Sequence, residues 1–124
     1  MNTSIKMTID EHKKILTLQE EFNAMFPFLK LEFFAKQLKP GESFEKKVAK
    51  PNIKTLHESR TVHNKKKVII TPEMTVFDLD KTFFTVYGLG VQVFRKSGKV
   101  WLETTLTDSW TLEEQNLQGE ALSA

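Results

Sequence analysis

The feature that most constrains this chain is a change of hydrophobic period that occurs twice in the same order. In TVFDLDKTFFTVYGLGVQVFRK (75–96), apolar residues first recur at helical spacing: Val76, Phe77, Leu79, Phe83, Phe84 and Tyr87. Past Gly88 they alternate, as Val91 and Val93. A period of about 3.6 followed by a period of 2 calls for a helix that runs into a half-buried strand. Thr75 with Asp78 is a helix start of capping-box type, Gly88 is a natural C′ residue, and VIIT (68–71) reads as a preceding strand.

The same order stands upstream. SIKMTI (4–9) alternates through Ile5, Met7 and Ile9. Thr17 with Glu20 opens a helix carrying Leu18, Phe22, Met25 and Phe26 on one face, Pro27 stops it, and FLKLEFFAK reads as a strand. Aligning LEFFAK (31–36) with VQVFRK (91–96) describes two βαβ-type halves sixty residues apart. Thr111 with Glu114 predicts a short C-terminal helix closed near Gly119, and Thr55 with Glu58 a helical turn. The expectation is a single α+β domain, residues 1–124. It is a two-layer sandwich of two main helices on a mostly antiparallel sheet, ferredoxin-like in order, with a C-terminal hairpin and short helix.

Charge is unevenly placed. Residues 36–67 hold ten basic residues against three acidic ones, a balance of +7, while the remainder holds eight against thirteen, or −5. Much of that basic charge lies in 37–66, a connector without clear periodicity. Such asymmetry fits a solvated connector or an acidic or polyanionic partner. The chain has no cysteine, which removes disulfides, thiolate nucleophiles and Cys-based zinc sites. No apolar run approaches the roughly 18 residues of a membrane span, and MNTSIKMTIDEHKK has no apolar signal core. A cytoplasmic protein without membrane contact is expected.

The hairpin FRKSGKVW (94–101) carries the most distinctive surface. With Ser97-Gly98 as a two-residue loop, Phe94 faces Trp101 directly, on the side away from Val91, Val93, Val100 and Leu102. Trp110 and Leu112 are the residues placed to cover that pair if the C-terminal helix folds over it. The residues expected to engage a protein partner or a second copy of the chain are Phe94, Trp101 and Trp110. The alternative is nucleic-acid binding through Lys65, Lys66, Lys67, Arg95, Lys96 and Lys99.

No catalytic residue, cofactor or metal ligand is expected. His57, Glu58 and His63 have H-E-x₄-H spacing, which does not bring two imidazoles to one helix face as H-E-x-x-H does. Asp78 and Asp80 project to nearly opposite sides of their helix, so they cannot act as a paired acid and base. Phosphate-binding glycine motifs and G-x-S-x-G are absent.

VIITPEMTVFDL and GLGVQVFRKSGKVWLETTLTDSWTLEEQN, within about residues 68–119, resemble a family of small uncharacterised bacterial α+β proteins. The resemblance implies that the hairpin and TDSWTLEEQN belong to one recurring unit, and it brings no activity. The βαβ order is also similar to ferredoxin-like RNA-recognition modules, but LEFFAK and VIIT lack their basic-aromatic strand signature.

Overall fold

The computed structural model describes residues 5–34 and 52–123; positions 37–51 of the expected connector lie outside the described residues. The order is β1 (Met7–Thr8), α1 (Ile15–Met25), β2 (Leu29–Phe34), α2 (Leu56–Ser59), β3 (Ile69–Ile70), α3 (Val76–Tyr87), β4 (Gly90–Ser97), β5 (Val100–Glu103), a 3₁₀ turn (Thr105–Thr107) and α4 (Leu112–Leu122). The strands form two antiparallel sheets, β1-β3 and β2-β4-β5. The α+β class therefore holds, but the sheet is split where a ferredoxin-like order would join all its strands.

Period-two burial explains each pairing. Met7 of β1 and Ile70 of β3 turn into the core, with Ile9 and Val68 beside them. Leu29, Leu31 and Phe33 on β2 lie on the same face as Val91 and Val93 on β4. Against that face pack Leu18 and Phe22 of α1, Leu79 and Phe83 of α3, and Leu112 of α4. The Phe33 and Phe83 rings meet edge to face, 5.5 Å between centroids.

Each main helix begins in a reciprocal lock with a helix opened by a capping box. Ile15 and Leu16 donate their backbone N–H groups to Lys54 and Asn52, while Leu56 and His57 donate to Lys13 and Glu11. In the second half, Val76 and Phe77 donate to Trp110 and Asp108, and Leu112 and Glu113 to Met74 and Pro72. The four bonds correspond one for one. Together with β1 pairing with β3 and β2 with β4, they relate the two halves by a pseudo-two-fold.

The lock corrects one helix start. α1 begins at Ile15 rather than after Thr17, with Lys14 as an N-cap that makes no side-chain bond. The carbonyls of residues 52 and 54 satisfy the open N–H groups, so no capping side chain is required. Thr55 with Glu58 and Thr111 with Glu114 form full capping boxes, and Thr75 accepts from the Asp78 N–H.

α4 also runs past Gly119 to Leu122. Gly119 is there for close approach rather than termination, because a Cβ would stand 2.8 Å from Phe28 Cβ and 3.2 Å from Arg95 Cγ. α4 thereby seats directly on the β2–β4 layer.

Candidate functional site

The β4–β5 hairpin turns through Gly98-Lys99, not Ser97-Gly98. Ser97 pairs with Val100, Lys96 with Trp101, Arg95 with Leu102 and Phe94 with Glu103. Gly98 has φ 60 and no other residue type in the chain's described part has positive φ, the signature of a type II′ turn with glycine first. The shift keeps every side chain on its expected face and makes Phe94 and Trp101 diagonal neighbours.

The face expected to be an aromatic anchor is closed at Phe94, which is only 3% exposed; Phe34 and Gln92 beside it are buried too. Trp101 is half-buried. Lys30 on β2 extends along this face, its Nζ 5.3 Å from the Phe94 ring centre and 5.2 Å from that of Trp101. Trp110 and Leu112 do not cover the pair. Leu112 joins the main core on the opposite face, and Trp110 lies there beneath the Arg95 guanidinium at 5.4 Å.

Arg95 is held in place on that face. Its Nη1 donates to Gln115 Oε1 at 2.8 Å, and the buried Gln115 amide donates to Thr107 O at 2.6 Å. Of the basic residues considered for nucleic acid, Lys65, Lys66, Lys67 and Lys99 are exposed and Lys96 half-buried, whereas Arg95 is committed to packing.

What the hairpin does present is backbone. In a two-residue hairpin the pair next to the turn exchanges both ladder bonds, and bonded and non-bonded pairs alternate. Val100 and Leu102 therefore bond to β4, while the N–H and C=O groups of Trp101 and Glu103 point away from it. Among the described residues, no hydrogen bond involves those outward groups. Val100 is 56% exposed and Leu102 41%, with Leu106 fully exposed beyond them.

The other edge of the same sheet is treated differently. Leu29 and Leu31 of β2 direct their outward carbonyls at α1, where Asn23 Nδ2 and Gln19 Nε2 donate to them at 2.8 Å and 2.9 Å. Edge strands left bare invite pairing by another chain, and side-chain cover is one way of preventing it. Among the described residues, β2 has that cover and β5 does not. Residues 103–124 contain five acidic residues (Glu103, Asp108, Glu113, Glu114 and Glu120) and no Lys or Arg. In sequence, the open edge runs directly into this acidic segment.

A second cluster was invisible to local spacing. The lock between Glu11 and His57 also brings their side chains together, with His57 Nδ1 2.9 Å from Glu11 Oε1, and Arg60 Nη1 reaches the same oxygen at 2.7 Å. The His57 hydrogen bond, followed by that of Arg60, holds the Glu11 carboxyl below its ordinary pKa. His63 is not part of this group, and Glu58 serves the Thr55 cap instead. Asp80 accepts from the Val91 N–H at 3.2 Å and so ties α3 to β4, apart from the exposed Asp78.

Compared with family models, curated proteins and solved structures, the chain matches none. No described helix is long and apolar enough to cross a membrane.

Proposed function

We propose that the protein is a small, non-catalytic binding module that takes an extended, positively charged segment of a partner protein as an additional strand on β5. The observation that carries this reading is the difference between the two sheet edges: α1 side chains block β2, while Trp101 and Glu103 leave their hydrogen-bonding groups outward. Main-chain bonds of this kind give affinity without sequence demands, and alternating side chains give specificity. Exposed Val100 and Leu102 offer apolar contact on one face of the added strand. The acidic segment 103–120 supplies the charge preference.

The test is a titration of ¹⁵N-labelled protein with a short peptide alternating Val and Lys, and with its Val/Glu counterpart. The Lys peptide is expected to shift the Trp101 and Glu103 amides saturably, and the Glu peptide to leave them unmoved. Trp101→Pro removes one outward N–H without touching the β4 ladder, and should abolish the effect. Equal shifts with both peptides, or shifts located away from β5, contradict the reading. A mass above the monomer that falls in Trp101→Pro would identify a second copy of the chain as the occupant.

A further inference from the structure

We propose that Glu11, His12 and His57 form a binding site for a divalent transition-metal ion of the Zn²⁺ or Ni²⁺ type. One ligand atom from each lies within 4.8 Å of the other two. Two imidazoles and one carboxylate are a donor set that suits these borderline ions, and three protein ligands leave coordination positions for water. Bonds of about 2.1 Å place tetrahedral ligands about 3.4 Å apart, so the cluster must close by about an ångström. His12 and His57 are both exposed, and side-chain rotation alone supplies that movement.

Two observations separate this cluster from a chance meeting of polar groups. The first is that the lock does not need it. The equivalent lock in the second half closes with Pro72, Glu73 and Glu113 where the first half has Glu11, His12 and His57. The imidazole pair is an addition to the shared scaffold. Among the described residues, the His12 ring meets only that of His57, 5.1 Å away and tilted by 35°.

The second is the support around the ligands. The His57 N–H donates to Glu11 O at 2.8 Å, which fixes the two segments to each other. Arg60 orients the Glu11 carboxylate and is itself nearly buried, bonded to the carbonyls of Val62, Asn64 and Val86. Hydrogen-bonded carboxylates of this kind are what hold metal ligands in position. With Arg60 and His57 both on Oε1, Oε2 is the oxygen left for an ion.

The experiment is isothermal titration of the full chain with zinc chloride and, separately, nickel chloride at neutral pH. One equivalent of at least one ion is expected to bind saturably. His12→Ala and His57→Ala should each weaken binding at least about tenfold, a loss in the range seen when metal-site geometry is disturbed. His63→Ala should leave it unchanged. Circular dichroism checks that the variants, altered only at exposed rings, remain folded. The proposal is overturned if neither ion binds saturably, if binding survives in the double variant His12→Ala/His57→Ala, or if it is lost in His63→Ala.

Discussion

Arg60 shows how far a single residue's role depends on what folds around it. In the sequence it adds one charge to a basic stretch. In the structure its guanidinium reaches from the end of α2 to α3, stacking on Tyr87 at 4.7 Å and donating to Val86 O in the last turn of α3. That carbonyl has no partner within the helix, and a cation is favoured there. Arg60→Ala leaves these acceptors unpaired and should cost about 2–3 kcal/mol, read as a lower urea midpoint. Arg60→Lys keeps the charge without the planar fork and should fall between. The capping carboxylates have an acid signature. Hydrogen bonds from Thr55 and Thr111 lower the pKa of Glu58 and Glu114 in the folded state. Their contribution is present above the ordinary carboxylate pKa and is lost as pH falls through the depressed values. Acid unfolding should therefore be less steep in Glu58→Gln/Glu114→Gln than in the parent, followed by circular dichroism from neutral pH downward.

At the scale of elements, the legible parts were those with strong periodicity or local capping chemistry. α3 runs from Val76 to Tyr87 with Gly88 as its left-handed cap, as its pattern requires. The α1 start was hidden because its open N–H groups are met by residues 52 and 54, and no sequence window spans that contact. The hairpin faces were legible from alternation, but Ser97-Gly98 and Gly98-Lys99 preserve the same alternation, so the pairing was not. The end of α4 is not legible at Gly119, which has the look of a stop signal but whose missing Cβ serves contact with Phe28. Gly119→Ala gains about 1 kcal/mol in helix propensity but overpacks the joint by about 1–3 kcal/mol. A net loss of stability is expected, with an unchanged denaturant slope. Thr111→Ala removes the α4 cap and should cost about 1 kcal/mol in the same assay.

For the molecule as a whole, the pseudo-two-fold gives two halves with the same locks but different chemistry on them. The first carries the Glu11–His12–His57 cluster, and the second carries the hairpin whose outer edge is open. Neither site could be found by spacing, because the first joins residues 46 positions apart and the second is a property of backbone direction. The account turns on that edge, and amide hydrogen exchange resolved by NMR reads it residue by residue. The alternation along β5 predicts slow exchange at Val100 and Leu102, whose N–H groups bond to β4, and fast exchange at Trp101 and Glu103. Addition of the Val/Lys peptide should slow the latter two. Uniform protection across residues 100–103 in the free protein would contradict an open edge.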